Sequence, residues 1–188
     1  MDIFIRKLEI KDLNEIPEID DSFTVDSKLV LSLRAMDQRI EYTVQEIPSY
    51  EKNYSEDIYK EDQEDDLDYR EYVNNPAKII FLAFMNHQMI GMIILKRNWN
   101  GFAYVEDIKV GKQFRQLGVG KRLIERAKHW AQACEMPGIM LETQNNNVRA
   151  CKFYESCGFV IGGFDFLVYK GIHEQSDEVA IYWYFKFK

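Results

Sequence analysis

The hydrophobic period of this 188-residue chain switches from strand-like to helical after Val110, and that switch restricts the fold more than any other feature. Lys78 to Met85 and Met89 to Leu95 are apolar runs of strand length, separated by Asn86-His87-Gln88, which is a hairpin pattern. Asn98-Trp99-Asn100-Gly101 offers a second turn, because Asn-Gly tolerates positive φ, and a third strand follows over 103–110. Three successive strands predict an antiparallel meander. Beyond Val110 the spacing becomes helical: Val119, Leu123, Ile124, Ala127, Trp130, Ala131 and Cys134 share one face of a helix over 118–135, which Pro137-Gly138 ends. Ile139 to Thr143 is a short strand. Asn145-Asn146-Asn147 supplies N-caps for a second helix with Ala150, Phe153, Tyr154 and Cys157 on one face, closed by Gly158. Final strands are expected over 159–169 and 179–187.

The first third of the chain is less regular. Ile3, Ile5 and Leu8 suggest a strand, and Leu13, Ile16 and Ile19 a helix interrupted at Pro17. Strands are expected over 28–33 and 39–47, and a short helix near 67–73, which ends by Asn75-Pro76 because the residue before proline avoids helix. With no internal repeat and no linker, residues 1–188 are expected to form a single α/β domain.

Charge restricts the partners. The net charge of −7 disfavours nucleic acid, whose phosphates need a basic face, and suits a cationic one. Eight acidic residues and one basic residue fall between Glu56 and Asp68, either as a solvated loop or as an acidic wall beside a cationic substrate's site. The apolar runs are too short to span a bilayer, and the N-terminus lacks the order of a signal peptide. A cytoplasmic protein without a membrane partner is therefore expected. Three cysteines without a CxxC pair argue against disulfides and zinc, and the three histidines show no metal-ligand spacing, so no metal is expected and the histidines are placed at the surface.

The segment Val110 to Leu123 carries the chemistry. A strand runs into a turn with Arg115, Gly118 and Gly120, and a helix begins there. The first amides of a helix lack intrahelical acceptors and carry the positive end of the dipole, and glycine lets an anion approach them. Lys121 and Arg122 add charge. Gly120-Lys121 is followed by Arg122 rather than Ser or Thr, so this is not a Walker loop, and the dinucleotide pattern GxGxxG is absent. The same glycines would also serve a purely structural tight turn.

Arg115-Gln116-Leu117-Gly118-Val119-Gly120 resembles the R/Q-x-x-G-x-G/A pyrophosphate loop of the GNAT superfamily of acyl-CoA-dependent N-acetyltransferases. Asn147-Val148-Arg149-Ala150-Cys151-Lys152-Phe153-Tyr154 with Gly158-Phe159 resembles its N-x-x-A-x-x-F-Y…G-F segment. Leu141-Glu142-Thr143-Gln144-Asn145-Asn146-Asn147 is similar to the L-E-T-Q-x-N-N of the streptothricin acetyltransferases, as are Gly162-Gly163, Tyr169-Lys170 and 180–184. The resemblance is weakest over the first 45 residues.

The resemblance implies a mixed α/β (α+β) GNAT fold: a mostly antiparallel sheet of about seven strands, flanked by helices and splayed between the strands at 103–110 and 139–144. It implies acetyl-CoA as co-substrate, with its pantothenate arm along the backbone of Ile108 and Val110. The pyrophosphate would lie on the amides of Gln116, Leu117, Gly118, Val119 and Gly120 beside Arg115, and the Asn147 side chain near the thioester. Tyr154 would be the proton donor to the departing thiolate, with a core aromatic as the alternative. Glu106 is the first candidate for the base, acting through water, with substrate recognition or a structural ion pair as the alternatives. Glu142 is the reserve base or holds a cationic substrate. Strand alternation separates Glu106 from Asp107. The expected reaction is direct transfer in a ternary complex to an amine of streptothricin, on its β-lysine portion. Another cationic amine (a polyamine, an aminoglycoside or a protein lysine) and a non-catalytic acyl-CoA-binding module are the alternatives. A homodimer through the aromatic C-terminal strand is possible.

Overall fold

The computed structural model describes residues 2–34, 39–52, 67–171 and 174–188. In chain order these residues form β1 (Phe4–Lys7), β2 (Phe23–Arg34), β3 (Arg39–Lys52), β4 (Lys78–Met85), β5 (Gln88–Arg97), β6 (Ala103–Val110), α1 (Val119–Ala133), β7 (Gly138–Gln144), α2 (Val148–Ser156), β8 (Val160–Asp165) and β9 (Ala180–Lys186). The chain resolves into two compact units. One comprises Met1–Ser22, Asn53–Ile139 and Phe187–Lys188; the other comprises Phe23–Lys52 and Met140–Lys186.

In the first unit the strands lie in the order β1-β4-β5-β6, each pair antiparallel. Met85 pairs with Gln88, so the hairpin loop is Asn86-His87 alone, with φ of 49° and 65°. Two successive positive φ values match the right-handed twist of the strands they join. The middle strands β4 and β5 are apolar on both faces because both faces are covered. Ile80, Leu82, Met92 and Ile94 pack with Leu8 and Tyr72. Helix α1 buries Val119, Leu123, Ile124, Ala127 and Ala131, and its Arg126 guanidinium lies 5.3 Å over the Phe81 ring.

The predicted helix around Leu13 to Ile19 does not form. A 3-10 turn occupies Ile10–Asp12 instead, and residues 16–22 are irregular. Pro17 has no N–H to give and keeps Ile16 out of the helical region, while Asp12 accepts from the Glu9 N–H and from both arms of Arg6 at 2.5 and 2.7 Å, fixing a turn. Leu13, Ile16 and Ile19 still pack on the apolar cluster. The expected helix near 67–73 is likewise a 3-10 turn, Tyr69–Tyr72, capped by Asp68. Apart from Leu67 and Asp68, the acidic segment 56–68 lies outside the described residues.

In the second unit the strand order is β7-β9-β8, and β2 and β3 form a separate antiparallel ribbon of 12 and 14 residues, longer than the sequence pattern predicts. The four strands of the first sheet segment and these three make the seven expected, in a mixed α/β class with antiparallel pairs predominant. The strand predicted over 159–169 stops at Asp165, whose carboxylate accepts the N–H groups of Leu167 and Val168 and turns the chain into a 3-10 turn at Tyr169–Gly171.

Candidate active site

The loop after β6 is shaped by its backbone. Gln116 and Gly118 have φ of 62° and 83°, so residues of positive φ alternate with residues of negative φ, and left-handed Gly118 leads directly into the right-handed first turn of α1. Such alternation turns successive N–H groups toward one concavity, an arrangement that receives anions. Among the described residues, no group accepts a hydrogen bond from the backbone N–H groups of Gln116 to Lys121; the first amide of this region with an acceptor is that of Arg122, bonded to the Gly118 carbonyl at 3.1 Å. Gln116, Leu117 and Gly118 are exposed. A Cβ on Gly118 would meet nothing within 4 Å, so glycine is required there by φ rather than by crowding. Crowding does operate at Gly91, where a Cβ would stand 2.7 Å from the Lys109 carbonyl and push apart β5 and β6, which hold the loop's entry. On β6, Ile108 pairs with Ile93 and Val110 with Gly91.

Arg115 is engaged with the backbone around the loop. Its guanidinium donates to the carbonyls of Val110, Ser22 and Asp20 at 3.1, 2.7 and 3.2 Å, stapling residues 20–22 to the end of β6. Lys109 reinforces this by pairing with Asp21 at 3.1 Å and Asp107 at 3.4 Å. Burial pushes the Asp107 carboxyl above its usual range despite Lys109.

Glu106 is the extra residue of a β-bulge: Ile94 faces Asp107 and Leu95 faces Val105, leaving Glu106 between them. It accepts from the Tyr72 hydroxyl at 2.6 Å and pairs with Lys96 at 2.6 Å. The Tyr72 phenol is pushed well up, first by burial and then by this carboxylate. Glu106 and Asp107 thus have separate partners, and Glu106 has the ion pair that was its alternative role.

The remaining predicted residues belong to the second unit. Along β7, side chains alternate. Thr143 faces the interior, where its hydroxyl accepts from the Trp183 indole at 3.0 Å and meets the Cys151 thiol at 3.4 Å. Glu142 and Gln144 therefore share the other face. Glu142 accepts a hydrogen bond from the Tyr169 hydroxyl. Burial raises its proton affinity, Tyr169 lowers it and Glu178 raises it, with a net upward shift. Of the three asparagines that follow, Asn145 donates to the Leu29 carbonyl at 3.1 Å and accepts from the Val179 N–H at 3.0 Å. Asn146 donates to Tyr50 at 3.1 Å and to Glu178 at 2.8 Å, and Glu178 also pairs with the buried Lys52. The Asn147 carbonyl oxygen accepts from the Ala150 N–H at 3.1 Å and caps α2. Asn147 is thus placed to start the helix that carries Tyr154. Tyr154 is buried at 6% exposure, with its ring centroid 5.1 Å from Phe153 and 5.8 Å from Phe159. Gly158, at φ 88°, lets the chain reverse so that the Phe159 N–H reaches the Tyr154 carbonyl at 3.1 Å. Cys151 is inert as a nucleophile, its thiol pushed up to about 11 by burial.

Two open clefts of about 680 and 540 Å³ occur in the first unit, and no predicted site residue lines either. Among the described residues no group of three His, Cys, Asp or Glu side chains is placed to hold a metal, and no helix is long and apolar enough to cross a membrane. Tyr169, Glu178 and Gln144 were missed as neighbours of Glu142, and Lys52 as the partner of Glu178. Only Gln144 and Tyr169 had a signal, since both fall inside segments that carried the family resemblance.

The geometry of the loop agrees with comparison to known proteins. The model of the acetyltransferase (GNAT) family matches residues 44–159. The chain belongs to that family. It is 40% identical over 137 residues to streptothricin acetyltransferase A of Bacillus subtilis (strain 168), covering 73% of this chain and 78% of that one. It is 37% identical over 155 residues to a streptothricin acetyltransferase of Escherichia coli, covering 82% and 81%. A crystal structure from Bacillus anthracis str. Ames, described provisionally as a streptothricin acetyltransferase and solved in complex with acetyl coenzyme A, superimposes with a TM-score of 0.91 at 61% identity over 99% of this chain and 100% of that one. This GNAT protein is therefore an acetyl-CoA-dependent N-acetyltransferase. The unengaged amides of Gln116 to Lys121 fit the diphosphate of such a co-substrate, since they supply donors where a dianion needs them.

Proposed function

We propose that this acetyltransferase acetylates an amine of streptothricin, on its β-lysine portion, and so confers resistance to the drug, with the whole chain acting as one catalytic domain. The observation that carries the substrate is the identity of 40% to a streptothricin acetyltransferase over most of both chains. The net charge of −7 and a Glu142 that pairs with no basic side chain among the described residues are in keeping with a cationic acceptor. Acetyl-CoA, when bound, supplies an activated acyl carbon and a thiolate leaving group.

Within this proposal the amides of Gln116, Leu117, Gly118, Val119 and Gly120 hold the diphosphate. Arg115 holds the loop in shape through the three carbonyls it grips. The backbone of Ile108 and Val110 borders the pantothenate arm. An ammonium has no lone pair, so the acceptor must first lose a proton. Glu142 is better suited to take it than Glu106, because burial raises Glu142's proton affinity, whereas the Glu106 carboxylate is already engaged by Lys96 and the Tyr72 hydroxyl. Once the C–N bond forms and the C–S bond breaks, the Tyr154 phenol gives its proton to the departing sulfur, and the nitrogen sheds its second proton to the resulting phenolate, which leaves a neutral amide and restores the phenol. Asn147 acts by fixing the first turn of α2, on which Tyr154 rides.

Mass spectrometry of streptothricin after incubation with protein and acetyl-CoA tests the proposal. The expected product carries one added acetyl group, with fragments placing it on the β-lysine portion. Unmodified streptothricin, beside strong turnover of a polyamine or an aminoglycoside, would refute the substrate assignment.

A further inference from the structure

Among the described residues Gln144 Oε1 and Asn146 Oδ1 are both buried amide oxygens without a donor, but Asn146 has its amide nitrogen engaged by Tyr50 and Glu178, whereas no bond ties down the Gln144 amide. Asn145, Asn146 and Asn147 each hold a partner in the surrounding strands or in α2. Gln144 is at least as enclosed as Asn147, with 8% of its surface exposed. Its Oε1 is buried with no hydrogen-bond donor among the described residues. Folding rarely leaves a buried amide oxygen unpaired, because desolvating it without a partner costs free energy. A half-turn about the last side-chain torsion exchanges the oxygen and nitrogen ends, so the group can present its acceptor to whatever lies beside it. It lies on the Glu142 face of β7, opposite the packed Thr143.

We propose that Gln144 is a specificity residue for the acceptor: its amide oxygen accepts an N–H from the substrate's cationic amine while Glu142 supplies the neighbouring negative charge. This deepens the functional reading above and rests on it for the kind of substrate, an amine. A carboxylate alone attracts any cation. An amide acceptor two residues along the same strand face adds direction, rewarding a nitrogen that retains a second N–H to donate. Tyr169, which donates to the Glu142 carboxylate, holds that carboxylate in place while leaving lone pairs for the amine.

The test compares Gln144→Leu and Gln144→Glu with the wild type, using streptothricin and spermidine as acceptors. For whichever amine the wild type acetylates, Gln144→Leu should raise the acceptor KM by about tenfold or more and leave the acetyl-CoA KM unchanged. Its melting temperature should hold or rise, because an unpaired polar group has been removed. Gln144→Glu restores an acceptor and should return KM to the wild-type value or below. If Gln144→Leu does not fold, Gln144→Glu carries the test, and a raised acceptor KM in it overturns the proposal. An unchanged KM in Gln144→Leu, or a lower melting temperature with unaltered kinetics, also overturns it, the latter assigning the amide to a structural water. Wild-type turnover of spermidine alone, with Gln144→Leu impaired, removes streptothricin but keeps Gln144. Turnover of streptothricin with Gln144→Leu unimpaired does the reverse, and turnover of neither amine removes both.

Discussion

The loop at 115–120 and the strand end at 142–147 present different parts of the polypeptide to the ligands proposed for them. The loop uses main-chain N–H groups set by two left-handed residues, and its one long cationic side chain, Arg115, is occupied with carbonyls. The strand end offers side chains: a carboxylate with raised proton affinity, an amide oxygen without a donor among the described residues, and three asparagines, of which Asn145 and Asn147 bond the surrounding backbone and Asn146 the side chains of Tyr50 and Glu178. A diphosphate is the same in every molecule of the co-substrate, so fixed main-chain donors suffice. An acceptor amine must be told from other amines, which takes groups that substitution can alter one at a time.

This contrast can be broken by experiment. The largest effect is expected from Gly120→Glu, which puts a carboxylate into the amide concavity; isothermal calorimetry should find no acetyl-CoA binding, and a normal titration would dismiss the loop assignment. Next is Tyr154→Phe, expected to lower kcat by about 100-fold while acetyl-CoA affinity is kept. Wild-type turnover in that variant would take the phenol out of the reaction. Arg115→Met separates staple from phosphate ligand. As a staple, its loss should cost about 2 kcal/mol of stability, read by urea unfolding, while the salt dependence of acetyl-CoA binding stays that of the wild type. A flatter salt dependence with unchanged stability would make Arg115 a phosphate contact. The smallest effect is that of Glu142→Gln. Folding raises the Glu142 pKa, so the charged form is penalised at neutral pH and the penalty disappears as pH falls through the carboxylate range. The variant should therefore melt higher than wild type at pH 7, by on the order of 2 °C, and equally with it in acid. A lower melting point at pH 7 would contradict the burial argument.

The elements that hold the site were legible because their signals are local. Helical spacing from Val119 to Ala131, the glycines at 118 and 158, and the turn at 86–87 each act through their own backbone. The residues missed depend on what lies across space. Leu13, Ile16 and Ile19 have helical spacing, yet Pro17 and the Arg6–Asp12 pair decide otherwise. Glu106 looks like a free strand carboxylate until the bulge, Lys96 and Tyr72 are known. By contrast, the capping role of Asn147 is legible from its place just ahead of α2, and the Ala150 N–H donates to it at 3.1 Å. The roles of Gln144 and of the Lys52–Glu178 pair come from burial and from a partner 126 residues away, which no spacing rule encodes.

The three carbonyls gripped by Arg115 make the N-terminal segment a reporter. Because Asp20 and Ser22 are tied to the same guanidinium that braces the entry to the amide concavity, any loosening of that entry must also release them. Deuterium uptake in the peptide spanning those residues should therefore slow when acetyl-CoA binds, offering a label-free gauge of co-substrate occupancy tens of residues away in sequence from the groups that touch it.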